Sequence, residues 1–211
     1  MVVGAGNGRH GSVQVTLLVA ALAALAGCSE APDGGAGPKA SASASATAAG
    51  TGVSGGGSIG AAGSACELPV TFDIAEDWTA EAVEASLRQG PVSLACEVDA
   101  KPAGHIGYLR AWTAGPGDAD ARTVLEAFVA AEEGAGKARY GTFAAGGLTG
   151  AEVEYVYQSE FDDAPKKERA LAVTTPRGPV VVHLGGLDTE EHEAMLPAYE
   201  LAKRTLRTEE A

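Results

Sequence analysis

The residues in this sequence whose types and spacing could do chemistry are its histidines, two aspartate pairs, two glycine motifs and three cysteines. His105, His183 and His192 lack the His-x-His or His-Glu-x-x-His spacing that sets two metal ligands on one face of an element. They read as separate histidines, and His192, among Glu190, Glu191 and Glu193, reads as part of a solvated helix face. Asp118/Asp120 and Asp162/Asp163 lack the spaced oxygens, sixth-position glycine and closing glutamate of a calcium loop, so they read as caps and turns. Gly52-Val53-Ser54-Gly55-Gly56 spells the hydrolase elbow Gly-x-Ser-x-Gly, and Gly55 to Gly60 spells Gly-x-Gly-x-x-Gly. Both motifs need a strand before and a helix after, to aim a nucleophile or cradle a pyrophosphate. A Gly/Ser/Ala run offers neither. The sequence thus gives no catalytic residue, metal ligand or cofactor, and a non-enzymatic chain is expected.

Chemistry at Cys28 is better supported. A polar start carrying Arg9 and His10 leads into an uncharged run, Val15 to Ala26, that ends in Leu25-Ala26-Gly27-Cys28. That is the layout of a secretory signal at residues 1–27. As a helix the run covers about 18 Å, short of a hydrocarbon core of about 30 Å. Leu-Ala-Gly-Cys resembles the lipobox of bacterial lipoproteins. The resemblance implies that the Cys28 thiol is alkylated by a diacylglyceryl group and that Cys28 becomes the first residue of the mature chain. Because each buried CH₂ contributes about 0.8 kcal/mol, two or three chains hold a protein on a membrane without spanning it. The expected location is the extracytoplasmic face of the cell membrane, held by the lipid on Cys28.

Charge narrows the partners. With 28 acidic against 15 basic residues the formal net charge is −13, which disfavours nucleic acid and electrostatic docking on anionic headgroups. The remaining partner is an unidentified envelope protein or ligand. The Ala and Gly excess reads as a high-GC bacterial genome. In an exported chain Cys66 and Cys96 are expected to pair as a structural disulfide, with no Cys-x-x-Cys to mark a redox centre.

The elements follow from composition and period. Residues 28–65 are almost wholly Ala, Gly, Ser, Thr and Pro, with little to bury, and read as a flexible tether between the lipidated cysteine and a domain at 66–211. Alternation at Leu68, Val70, Phe72 and Ile74 predicts a strand ending in Glu76-Asp77-Trp78. Thr79 to Leu87 fits helix or strand, with strand preferred, and strands are predicted over 92–98 and 105–113. A helix capped by Asp118 or Asp120 carries Val124, Leu125, Phe128 and Val129 on one face and is closed by Gly134. Strands near 138–143, 151–158, 169–175 and 179–184 follow. Asp188 and Glu191 then form a capping box for a final helix with Met195, Tyr199, Ala202 and Leu206 inward, interrupted or kinked at Pro197.

Strands, a helix, more strands and a last helix make an α+β domain, a mainly antiparallel sheet flanked by two helices. This layout from Val70 onward resembles the PsbP/Mog1-like sandwich found in lipoproteins of the LpqN type. The resemblance implies a binding or accessory role and transfers no site residue. Tyr108 and Trp112 share a strand face by the two-residue period, and form the candidate surface for a ligand or partner, with core packing the competing role.

Overall fold

The computed structural model describes residues 53–84, 87–161 and 163–209. The expected signal peptide at 1–27 and Cys28 lie outside the described residues, as does Asp162. Eleven strands and two α-helices appear among the described residues. In chain order they are β1 (Gly55–Ile59), β2 (Val70–Ala75), β3 (Thr79–Ala82), β4 (Arg88–Gln89), β5 (Val92–Asp99), β6 (Gly107–Thr113), α1 (Ala121–Ala130), β7 (Ala135–Ala145), β8 (Leu148–Tyr157), β9 (Lys166–Thr175), β10 (Gly178–Gly186), α2 (Thr189–Thr205) and β11 (Arg207–Thr208). The large sheet runs β3-β5-β6-β10-β9-β8-β7, with β4 on β5, and a small sheet runs β1-β2-β11. All pairings of named strands are antiparallel.

The two-residue period of the strands gives the large sheet two faces, and both are covered. On one face Val98, Leu109, Leu171, Val173, Val180, Val182 and Leu184 pack against β2 and α2. On the other, Leu94, Trp112, Val153, Ala170, Ala172 and Val181 pack against α1. Because β10 is buried on both faces, it reads as a nearly unbroken apolar run, Val180-Val181-Val182-His183-Leu184. His183 is the exception in that run.

Each helix starts where its cap dictates. Asp120 Oδ1 accepts from Thr123 N at 2.7 Å, and Asp188 Oδ1 accepts from Glu191 N at 2.9 Å. The capping box is only half made. Glu191 does not reach back; its Oε2 is 3.3 Å from both Ile106 N and His105 Nδ1, tying α2 to the β5–β6 turn. Pro197 sits inside α2, which continues through it. The carbonyl that loses its donor belongs to Glu193, an exposed residue whose backbone water can serve.

The predicted tether does not extend to Ala65. Gly55–Ile59 pairs with β2, Ile59 is buried, and Gly60 hydrogen-bonds to Cys66 and Leu68. A segment with few side chains to bury still carries main-chain donors and acceptors, and a neighbouring strand recruits them. The ordered domain therefore starts before residue 66, and the apparent Gly-x-Gly-x-x-Gly is part of a strand. Cys66 and Cys96 form the expected disulfide, with Cα atoms 5.9 Å apart. It joins the β1–β2 connection to the centre of β5, bridging the two sheets.

Candidate functional site

The α1-covered face of the large sheet changes character along its strands. Under α1 lies an apolar cross-strand row, Leu94, Trp112, Val181, Ala172 and Ala151. The next row reads Glu97, Arg110, His183, Ala170 and Val153. Beyond it Asp99 pairs with Tyr108, Tyr108 with Gly185, and Glu168 with Tyr155. The α1 helix covers the Trp112 end of this face, and Tyr108, two residues beyond Arg110, is left partly exposed.

At the open end the charges are matched. Arg110 Nε donates to Glu97 Oε1 at 2.7 Å, and its guanidinium lies 4.8 Å from the Tyr108 ring centre. Lys166 Nζ donates to Gly186 O at 2.9 Å, stands 3.4 Å from Glu168 Oε1 and lies 5.4 Å from the Tyr157 ring centre. Two recesses meet at Tyr108. One, of about 720 Å³, lies along β3 with Glu81, Glu97 and Asp99; the other, of about 230 Å³, holds Arg110, Lys166 and Gly185, with Ile106 and Leu187 among its lining residues. Ile106 and Leu187 are more than half exposed. The result is a polar groove with aromatic and apolar contacts.

Between this groove and α1 lies a buried polar network. Tyr155, Glu168 and His183 are each at most 4% exposed and come from β8, β9 and β10. His183 Nε2 is 2.6 Å from Glu168 Oε2, and Tyr155 Oη is 3.1 Å from each of them. Glu132, in the turn after α1, approaches Tyr155 Oη to 2.5 Å. Phe128 of α1 meets the His183 ring edge-on at 5.6 Å. Burial alone would raise the Glu168 carboxyl; His183, with its charge and hydrogen bond, then Lys166 and Tyr155, hold it below the usual range. Burial first, and then the Glu168 charge, push Glu132 up. Burial, Glu168 and Glu132 together push the Tyr155 phenol far up, so it stays protonated.

The other face carries a second charged group under α2. Arg169 Nη2 donates to Glu154 Oε2 at 2.5 Å, and Tyr199 Oη and Lys203 Nζ donate to Glu152 Oε1 at 3.0 and 3.2 Å. The first bond ties β9 to β8, and the other two fasten α2 to β8. His192 lies beside this group and is only 1% exposed. Burial, then the Arg169 charge, pull its pKa down to about 4.

Two sequence expectations are corrected here. Trp112 and Tyr108 do share a strand face, but α1 covers only the Trp112 end: Trp112 is 3% exposed and meets Phe128 edge-on at 5.5 Å. Trp112 is core, and Tyr108 alone reaches the groove. His192 is not on a solvated face. Its glutamate neighbours in sequence mark the outer side of α2, whereas position 192 itself turns onto the sheet. There Gly186 admits the backbone: a Cβ at 186 would stand 2.8 Å from His192 N. Among the described residues no group of three or more His, Cys, Asp or Glu is arranged to hold a metal ion.

Sequence reading missed the Tyr155–Glu168–His183–Glu132 network. The alternation of β8 and β10 placed Tyr155 and His183 on definite faces, but nothing in spacing paired them. Glu168 lay in a charged run, Lys166-Lys167-Glu168-Arg169, that looked like loop.

No protein of curated function matches the chain. Among solved structures it is similar to the solution structure of cyanobacterial PsbP (CyanoP) from Synechocystis sp. PCC 6803, at 12% identity and a TM-score of 0.46, over 66% of this chain and 86% of that one. The match that identifies a family extends over residues 36–206, from before β1 through β10 and both helices, and by it the chain belongs to the uncharacterised lipoprotein family Lipoprotein_23.

Proposed function

We propose that this is a membrane-anchored envelope lipoprotein with a non-catalytic domain that binds a protein partner through the groove around Tyr108. The anchor is the diacylglyceryl group on Cys28, on the extracytoplasmic side. The observation that carries the reading is the half-covered sheet: α1 seals Trp112 into the core and leaves Tyr108, Arg110 and Lys166 at a groove of recognition-type side chains. A non-catalytic role is supported by the burial of the acid–base network. Tyr155, Glu168 and His183 are hydrogen-bonded to one another and almost wholly buried, with Glu168 alone of the three lining the recess beside Gly185, which leaves no room for a substrate atom between them. A small-ligand binder is the second reading, favoured by the open recess beside Gly185.

The test places a photo-crosslinking amino acid at Tyr108 of the membrane-anchored protein, with Thr142 on the exposed edge strand β7 as control. Crosslinking of one defined protein from Tyr108 and not from Thr142 supports partner binding. No Tyr108-specific product removes this reading. Mass spectrometry of the same preparation reads the anchor: an unlipidated Cys28 would sink the membrane assignment.

A further inference from the structure

Tyr155 Oη has three polar neighbours and one proton of its own. Glu132 Oε2 is 2.5 Å away, and Glu168 Oε2 and His183 Nε2 are each 3.1 Å away, while His183 Nε2 and Glu168 Oε2 stand 2.6 Å apart. Each hydrogen bond needs a proton between its heavy atoms. With both carboxylates ionised, only the phenolic proton and one on His183 Nε2 are available. The histidine proton serves Glu168. The phenolic proton then serves one carboxylate, and the other oxygen faces the phenol with nothing between. A third proton, on Glu132, completes the set: Glu132 donates to Tyr155, Tyr155 donates to Glu168, and His183 donates to Glu168.

Charge leads to the same assignment. The titratable groups facing Glu132 are Tyr155 from β8, Glu168 and Lys166 from β9, and His183 from β10. Lys166 is the cation of this set and is taken up by Glu168, at 3.4 Å. Burial first, and then the charge on Glu168, disfavour an ionised Glu132.

We propose that Glu132 is a proton-binding site: as a carboxylic acid it latches the turn after α1 onto the sheet through Tyr155, and its ionisation releases that turn. The turn is suited to this. Gly134, at φ 94°, packs so closely on β8 that a Cβ would stand 2.2 Å from Gln158 O, and Gln158 N donates to Gly134 O at 3.2 Å. A recess of about 360 Å³ between this turn and Tyr157 includes the exposed Phe161 in its lining, so release of the turn reshapes it. The sign follows from linkage. The latched state binds the Glu132 proton more tightly than the released state does. Latching is therefore complete below the ordinary glutamate pKa of 4.5 and is lost as pH rises through the higher latched-state value.

The experiment is amide hydrogen exchange of the full chain across this pH range, corrected for intrinsic rates and read at Gly134, Ala135 and Gln158. It is paired with a ¹³C titration of the Glu132 carboxyl. Opening of the turn should rise by up to about tenfold per pH unit between the two pKa values and then level off. In Glu132→Gln, whose amide donates to Tyr155 at every pH, opening should be flat. Opening that is independent of pH in the unaltered protein, or equally dependent in the variant, overturns the latch. Should the variant fail to fold, the carboxyl titration decides: a Glu132 carbon that titrates in the ordinary range overturns the proposal.

Discussion

Gly185 of β10 and Tyr108 of β6 are direct cross-strand partners. A Cβ at 185 would meet only the His183 ring at 3.5 Å and Glu168 Oε1 at 3.7 Å, ordinary van der Waals contact. The position is not needed by the fold as glycine, yet a side chain there would point into the recess shared with Arg110 and Lys166. Gly185→Val should keep stability within about 1 kcal/mol of the parent or raise it, because β-branched residues suit strands. It should also abolish crosslinking from Tyr108. Equilibrium unfolding and the crosslinking yield read the two effects separately.

The disulfide between Cys66 and Cys96 closes a loop of sequence separation 30. By the loop-entropy estimate it contributes about 3–4 kcal/mol. Denaturant unfolding of the oxidised protein and of the Cys66→Ser/Cys96→Ser double variant should differ by that amount, with the midpoint lower in the variant. A difference below about 1 kcal/mol would show that the bridge is not a staple.

His192 makes stability sensitive to acid. Its pKa in the folded chain is about 4 against an ordinary 6.5, through burial and Arg169. The folded state therefore binds its proton less well than the unfolded state. The associated stability is fully present above about pH 6.5 and is lost as pH falls toward 4. The loss should reach about 2–3 kcal/mol. His192→Gln should flatten this part of the curve of unfolding free energy against pH. Glu132 acts with the opposite sign, so the two are separated by reading global unfolding for His192 and local exchange for Glu132.

Gly60 tests whether the first strand belongs to the domain. Its φ is 107°, and a Cβ there would lie 1.9 Å from Val70 O. Gly60→Ala should cost about 2–4 kcal/mol through backbone strain and displacement of β1 from β2. Exchange at the β2 amides paired with β1 should rise in step. An unchanged melting temperature would mean that β1 contributes little to the fold.

The sequence alone determined what depends on local chemistry and period. Alternation set the strands, and the 3.6-residue period set the inward faces of both helices, Val124 and Phe128 in α1 and Met195 and Tyr199 in α2. Short-range hydrogen bonding set the caps at Asp120 and Asp188. Two cysteines in an exported chain gave the bridge, and Leu25 to Cys28 pointed to a lipoprotein, as family membership shows. What only the tertiary structure decided depends on which elements meet. Strand order β6-β10-β9-β8 brings Tyr155, Glu168 and His183 together, although none is near another in sequence. The reach of α1 divides Trp112 from Tyr108, which period alone treats as equivalent. Helix-on-sheet contact, admitted by Gly186, turns His192 from an apparently solvated residue into a buried one. Main-chain pairing, which needs no side-chain pattern, makes Gly55–Ile59 a strand. Period fixes the direction in which a side chain points; burial and charge depend on what packs there.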